Sequence, residues 1–282
     1  MKRLRQNFGT IVGLGALLVA TGCEQGAAPT EARSAATNAV ESLETLDITE
    51  TTSFAEVNQL RPELVGELMS LQPVRGRDRN YRFTQPIFAR AAAMPVIFHR
   101  LIDLDEPQVN RVALAGALKT NRGPWQELAL ELFSKEADHA VRANLMSSLS
   151  MAESEVLAKA ATLGLRDVDA GVRDWAAHSA VRLFANHKGT TASEMLAVLL
   201  VERLKDEDAG VRATTVRALS FAENTAYVDE MAALLTDEDP TTRLAAVDAL
   251  VRLDAEDAKR RIDEANLIQD ADPRVARAAK RL

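Results

Sequence analysis

Residues 206–221 read DEDAGVRATTVRALSF, and this stretch decides the fold. An acidic cluster leads into Val-Arg and then into a run rich in alanine and leucine. Asp208 is placed to cap a helix, because its carboxylate can accept hydrogen bonds from the free N–H groups of the first turn and is favoured by the helix dipole. Val211, Val216 and Leu219 recur at helical spacing, so the stretch predicts an amphipathic helix with one apolar face.

The same Asp-x-x-x-Arg pattern recurs along the chain at a nearly constant interval. Counted from Arg111, successive arginines are separated by 31, 31, 39 and 31 residues. The long interval contains residues 186–193, which we interpret as an inserted loop. Such a period is typical of stacked helical repeats. The repeated pairs are Asp138 and Arg142, Asp169 and Arg173, Asp208 and Arg212, and Asp239 and Arg243.

A second amphipathic run precedes each copy, for example MLAVLLVERL at residues 195–204. One copy is therefore a hairpin of two helices that is too small to bury a core alone, and stacked neighbours would bury a continuous one. Aromatic residues are only 4% of the chain, while Ala, Leu and Val dominate, as in packed helices. The sequence predicts an all-α fold, an α-solenoid of about six stacked helical hairpins.

Asp-x-x-Val-Arg hairpins at this period resemble HEAT repeats of the short, PBS-lyase-like type. The resemblance covers residues 90–282, and an N-terminal helical cap is expected at 53–89, where Ser53 and Glu56 fit a capping box. In HEAT arrays the Asp and Arg positions typically form a ladder between adjacent units, so the resemblance implies a structural role for the four pairs. The predicted hairpins are 90–119, 123–150, 153–185, 191–222, 224–253 and 255–282, and the last can be aligned with either Arg274 or Val275 leading.

The N-terminus has the pattern of an export signal. Lys2, Arg3 and Arg5 precede a short apolar run at 11–20, which is too short to span a bilayer as a helix. The run ends in Leu-Val-Ala-Thr-Gly-Cys23, which resembles the lipobox of bacterial lipoproteins. That resemblance implies cleavage of residues 1–22 and lipidation of Cys23. Residues 23–52 are rich in Ala, Thr, Ser and Glu, and predict a flexible tether.

The net charge of the chain limits the classes of partner that it can be expected to bind. The chain carries 34 Lys and Arg against 41 Asp and Glu, a net charge of −7. Removal of the three basic residues of the signal makes it −10. An acidic balance disfavours nucleic acid, which needs a basic footprint. With one cysteine in the chain, no disulfide can form within it, and the lipid is the only membrane attachment that we predict.

No catalytic motif stands out. The four histidines, at 99, 139, 178 and 187, are scattered and lack the spacing of zinc ligands. We therefore predict no catalytic residue, metal or cofactor. The alternatives left open are cation binding by the acidic clusters at 206–208, 237–239 and 270–272, and an enzyme or enzyme subunit of the HEAT type, with lyase- or hydrolase-like activity.

The function that we favour is binding of a protein or peptide in the cell envelope, on the periplasmic or outer side, by a lipid-anchored scaffold. Its concave surface would be lined by the second helices of the hairpins. Trp125 is expected to close the core, whereas Trp175 is a candidate binding anchor. A basic loop precedes the array; we expect it to be solvated, and contact with an acidic partner is the alternative. The candidate contacts are Arg142, Trp175, Arg182, Arg217 and Arg252, with Arg75, Arg77, Arg79 and Arg82 in the loop.

Overall fold

A computed structural model of the chain describes residues 48–71, 73, 87–186 and 189–282. Over these residues the secondary structure is helical, with α-helices and short 3₁₀ turns and no strand. The all-α prediction is therefore confirmed. The chain divides into two compact units, Met1–Leu128 and Ala129–Leu282. This division falls inside the second predicted hairpin, whereas the sequence placed the start of the array at residue 90.

The first unit begins with the predicted capping box. The Ser53 hydroxyl accepts a hydrogen bond from the Glu56 N–H at 3.2 Å, and the Glu56 carboxylate accepts one from the Ser53 N–H at 2.6 Å. Two of the free donors at the start of the helix are thereby satisfied. The α-helices of this unit are α1 (Phe54–Leu60), α2 (Pro62–Ser70), α3 (Met94–Ile102) and α4 (Gln108–Ala117), with 3₁₀ turns at Ala91–Ala93 and Leu118–Thr120.

A buried arginine organises the first unit. The Arg100 side chain is only 2% exposed and makes two hydrogen bonds to Glu106, at 2.8 and 2.7 Å. Its remaining terminal nitrogen donates to the carbonyls of Leu68 and Leu71, at the end of α2. A buried charge is tolerated only when it is paired and hydrogen-bonded, and Arg100 meets both conditions. Arg100 lies on α3, and it thereby links α3 to the end of α2 and to the turn between α3 and α4.

Helix α5 (Gln126–Phe133) begins in the first unit and ends in the second. The second unit continues in pairs of helices, as predicted. We call the second helix of each hairpin its B helix. The remaining α-helices are α6 (His139–Leu149), α7 (Ser154–Gly164), α8 (Ala170–Asn186), α9 (Thr191–Arg203), α10 (Ala209–Ala222), α11 (Val228–Ala232), α12 (Pro240–Leu253), α13 (Ala255–Glu264) and α14 (Pro273–Ala279), with 3₁₀ turns at Thr225–Tyr227, Ala233–Thr236 and Leu267–Gln269. Of these, α6, α8, α10, α12 and α14 are the B helices.

The long interval between Arg173 and Arg212 contains a shorter loop than the one predicted at 186–193. Helix α8 has 17 residues, against 14 in α10, so part of the insertion lengthens a helix. Asn186 is the last residue of α8, and Thr191 already belongs to α9. Of the residues between them, the structure describes Gly189 and Thr190. Gly189 has a φ of 72°, which suits glycine, and the Thr190 side chain caps α9.

The structure also settles the alignment of the last hairpin. Asp272 caps α14 as Asp239 caps α12, so Val275 occupies the position of Thr242. Both side chains are fully buried. The position of the repeated arginine is therefore held by Ala276. The buried residue before the arginine position is Val141, Val172, Val211, Thr242 or Val275 in the successive B helices.

Candidate functional site

Four arginines of the second unit join successive hairpins. Each makes two parallel hydrogen bonds to one aspartate of the next hairpin, which is the strongest geometry available to an arginine and a carboxylate. Their side chains are 6–15% exposed and those of the aspartates 2–10%. The pairs, with their two distances, are Arg142–Asp167 (2.8 and 2.9 Å), Arg173–Asp206 (2.8 and 2.8 Å), Arg212–Asp237 (2.8 and 2.8 Å) and Arg243–Asp270 (2.7 and 2.7 Å).

The four pairs form one continuous network, which we call the Asp/Arg ladder. The Nη1 atom of Arg173 donates to the carbonyls of Asp167 and Val168, so Arg173 contacts the residue that pairs with Arg142. Arg212 and Arg243 repeat this arrangement with the carbonyls of the turns that precede them. The network therefore fixes both the spacing of the hairpins and the shape of each turn.

The aspartates of the ladder are not those that the sequence suggested. The predicted aspartates accept hydrogen bonds from backbone N–H groups at the starts of their own B helices; these are Asp138, Asp169, Asp208 and Asp239. The arginines bind other aspartates, each two positions before a capping aspartate; these are Asp167, Asp206, Asp237 and Asp270. A capping carboxylate is committed to its own helix, whereas the aspartate at the start of the turn is free to face the preceding hairpin. The sequence signal was the Asp-x-Asp spacing, as at Asp206 and Asp208.

Pairing keeps the ladder carboxylates ionised. Burial raises the pKa of Asp206, but hydrogen bonds from Arg173 and from the Asp208 N–H outweigh it, so the pKa lies below its ordinary value. The pKa values of Asp167 and Asp237 are lowered by the same balance. For Asp270 the hydrogen bond from Arg243 is the largest influence, and the pKa is again lowered.

The ladder leaves little of each acidic cluster for a cation. In the cluster at 206–208, Asp206 binds Arg173, Asp208 caps α10, and the Glu207 side chain is 88% exposed at 3.4 Å from Arg173. Calcium requires six to eight converging oxygens. Among the residues that the structure describes, no group of three or more His, Cys, Asp or Glu side chains is arranged to hold a metal ion.

The exposed side of the B helices is the candidate site. In α8 Trp175 remains 39% exposed, and its ring and the His178 ring are nearly perpendicular, with their centres 5.7 Å apart. On α10 Arg217 is exposed and Phe221 half-exposed. We define the B-helix face by a chosen set of exposed or half-exposed residues, the last of which lies just beyond the end of α14: Asp174, Trp175, His178, Arg182, Thr214, Arg217, Phe221, Asp248, Arg252, Arg277 and Arg281.

Two arginines of this face are held in place by the neighbouring hairpin. Arg182 donates through Nη1 to the carbonyls of Ser150 and Ala152, at 2.7 and 3.0 Å. The guanidinium of Arg252 lies 4.1 Å from the centre of the Phe221 ring, a cation–π contact. Because a guanidinium carries five N–H donors, Arg182 keeps donors for a ligand. Both side chains are thus positioned before any partner arrives.

The other candidate residues fall into three groups. Arg142 was expected on the binding surface, but it belongs to the ladder and its side chain is 12% exposed. Trp125 is buried, and its Nε1–H donates to the Asn121 carbonyl at 3.0 Å, which fits the expected core role. The predicted signal, most of the tether, Cys23 and the basic loop with Arg75, Arg77, Arg79 and Arg82 lie outside the described residues.

The described histidines do not converge. His99 stacks on Phe54 in the first unit with the ring centres 3.8 Å apart, and burial lowers its pKa. His139 lies 3.1 Å from the Asp169 carboxylate, and His178 contacts Trp175. Each of the three described histidines therefore has its own local contact, and none of them contacts another. His187 is not described.

Comparison with known proteins agrees with this architecture. Residues 197–281, which run from within α9 to the end of the array, match the HEAT repeat family. An engineered protein whose crystal structure was determined by the Northeast Structural Genomics Consortium has a similar fold, with a TM-score of 0.51 and 16% identity over 89% of this chain and 74% of that one. No curated protein matches the sequence.

Fold and comparison together define the class of protein. The chain is an α-solenoid of the helical-repeat type, and its residues 197–281 are similar to HEAT repeats. Such repeats build scaffolds with long continuous surfaces. No helix in the described part of the chain is both long and apolar enough to cross a membrane.

Proposed function

We propose that this protein binds a protein partner through the B-helix face. The observation that carries the proposal is the exposed Trp175, which shares a face with Arg182, Arg217 and Arg252. Tryptophan and arginine are the residues most enriched among those that dominate binding energy at protein interfaces. A buried position would explain the tryptophan as core, but its ring is partly open to solvent and contacts His178 only at an edge.

The scaffold favours recognition of an extended surface. The Asp/Arg ladder fixes each B helix relative to the next, so the contacts on α8, α10 and α12 are presented in a constant register. A rigid surface spends less free energy on ordering its side chains when it binds. Arg182 and Arg252 add to this effect, since both are already held by neighbouring residues.

The proposed setting is the cell envelope of a bacterium, with Cys23 as the site of a lipid anchor. The support is the sequence alone: Cys23 follows a basic and apolar leader and is the single cysteine of the chain. Residues 23–52 would then tether the repeats to the membrane surface. With about 30 residues, such a tether would have a root-mean-square span of about 30 Å if it were flexible.

Co-purification tests the binding. The full chain, expressed in its own cells and extracted in mild detergent, should retain a stoichiometric protein. The double variant Trp175→Ala/Arg217→Ala should lose it, because both side chains lie on the B-helix face. Arg166→Ala is the matched control, since Arg166 is an exposed arginine of the α7–α8 turn, outside that face. Recovery of no stoichiometric protein, or equal recovery with the double variant, would contradict the proposal.

Metabolic labelling tests the anchor separately. Cells that make the full chain should incorporate radioactive palmitate into it, and Cys23→Ser should abolish the label. Trp175→Ala is the control, because it alters the binding face and leaves the leader intact. Persistent labelling of the Cys23→Ser chain would exclude Cys23 as the lipidation site, without bearing on the binding face.

A further inference from the structure

The B-helix face is positively charged, although the chain as a whole is acidic. Its charged members are five arginines and two aspartates, a net charge of +3 on a chain of net charge −7. The two aspartates are Asp174 on α8 and Asp248 on α12. A positively charged face on a chain of negative net charge indicates that the face binds a negatively charged partner. The five arginines are Arg182, Arg217, Arg252, Arg277 and Arg281.

Four of these arginines occupy two positions of the repeat, five and nine residues beyond the ladder position. Five residues beyond the ladder position, the successive hairpins carry His178, Arg217, Asp248 and Arg281, of which Arg281 follows the end of α14 at Ala279. Nine residues beyond it, Arg182 on α8 is followed by Phe221 on α10 and Arg252 on α12. The register holds because the paired ladder residues align each hairpin with the next. Because residues four apart lie on the same side of a helix, Arg182, Arg217, Arg252 and Arg281 form a strip that crosses the successive hairpins.

Acidic side chains border this strip at both ends of the helices. At the turns between the two helices of a hairpin, the side chains of Glu207 and Glu238 are 88% and 90% exposed. At the connections to the next hairpin, Glu223 and Asp254 are exposed. A wide polyanion such as duplex nucleic acid would meet these carboxylates as well as the arginines. A narrow chain that lies along the strip would avoid them.

We propose that the B-helix face binds an extended, acidic segment of a partner protein, whose carboxylates pair with Arg217, Arg252 and Arg281 and whose apolar side chain packs on Trp175. Arginine is suited to this task, because its planar guanidinium can bind a carboxylate through two parallel hydrogen bonds. This inference rests on the proposed function and adds the chemistry of the ligand. Neighbouring helices pack roughly 10 Å apart, so the strip spans about 30 Å, and an extended segment of roughly ten residues would cover it.

Selection of peptides from a random library tests the inference. The library displays random peptides of about ten residues, and the full chain in detergent is the immobilised bait. Enriched peptides should carry an excess of Asp and Glu, together with an aromatic or aliphatic residue. By fluorescence anisotropy, the best peptide should bind the double variant Arg217→Gln/Arg281→Gln about tenfold more weakly, as expected for the loss of two exposed charge contacts. The control Arg166→Gln should bind it as the unchanged chain does.

Three results would overturn the inference. These are enrichment of peptides without acidic excess, equal binding by the double variant, and tighter binding of a single-stranded oligonucleotide of similar length than of the best peptide. Circular dichroism on each variant excludes unfolding as a cause, since the substituted side chains are exposed. If co-purification still yields a partner that depends on Trp175, the proposed function stands and only the acidic ligand is wrong. If neither the acidic peptides nor a co-purified partner depends on this face, the proposed function is wrong as well.

Discussion

Arg173 and Asp206 lie in successive hairpins and are joined by two hydrogen bonds of 2.8 Å, with their side chains only 6% and 2% exposed. The same arginine donates to the carbonyl of Asp167, whose carboxylate binds Arg142. Each link therefore depends on the one before it. The second unit is stabilised by this polar network in addition to its apolar core, and the network sets the register in which the B-helix face is presented.

Breaking the Arg173–Asp206 pair should be costly. Asp206→Leu leaves a buried guanidinium without its carboxylate, and we expect a loss of about 3–5 kcal/mol in the free energy of unfolding. Arg173→Met/Asp206→Leu removes both charges, and should be more stable than the single variant by about 2 kcal/mol. Urea denaturation measures both. Glu155→Ala is the control, because the Glu155–Lys159 pair is exposed and should contribute little to the free energy of unfolding. Equal losses for Asp206→Leu and Glu155→Ala would contradict the structural role of the ladder.

The ladder predicts a loss of stability in acid. The pKa values of Asp167, Asp206 and Asp237 are lowered in the folded chain, so the unfolded chain takes up protons first as the pH falls. Their contribution should be complete above the ordinary pKa of 3.8 and should be lost as the pH falls through the lowered values. Thermal unfolding between about pH 6 and pH 2 measures this dependence. The variant Asp237→Asn should show a shallower decline, and an identical decline would argue against the ladder as its source.

Close packing of α7 on α8 predicts a contrast between two glycines. A Cβ atom on Gly164 would lie 2.8 Å from the Cβ of Ala176 and 3.1 Å from the Sδ of Met146. Gly164→Ala should therefore destabilise the chain by about 1–3 kcal/mol through overpacking. On α2 a Cβ added to Gly66 would meet nothing within 4 Å, so Gly66→Ala should be neutral or stabilise by up to about 1 kcal/mol. Thermal unfolding of the two variants should separate them, and a stabilised Gly164→Ala would refute the packing argument.

The helical hairpins were predictable because the signals for them are local. A capping aspartate acts within one turn, and residues such as Val211, Val216 and Leu219 reveal a helical face by their spacing alone. The constant interval between arginines then revealed the stacking. The partners of those arginines were not predictable in the same way, since Asp206 and Asp208 are equally acidic. Only the backbone shows which carboxylate faces the preceding helix.

The irregular parts of the chain could not be predicted from local signals. Arg100 has no counterpart in the repeat, and its carbonyl partners Leu68 and Leu71 lie about 30 residues earlier, so no spacing rule announces the contact. The loop predicted at 186–193 is longer than the one in the structure, because Asn186 still belongs to α8 and Thr191 already belongs to α9. Helical phase correctly predicted that Arg182, Arg217 and Arg252 are exposed on their helices, and their role in binding stays a prediction. It failed for Arg142, which the ladder withdraws from the surface.

Site-specific photo-crosslinking tests the central claim most directly. A photoreactive phenylalanine analogue placed at Arg217 in the full chain, in the cells that produce it, should crosslink a discrete protein on irradiation. The same analogue at Arg166, in the exposed α7–α8 turn, should not crosslink that protein. A single adduct from position 217 that is absent from position 166 is the result we predict. Adducts of equal yield from both positions, or none from position 217, would contradict a binding role for the B-helix face.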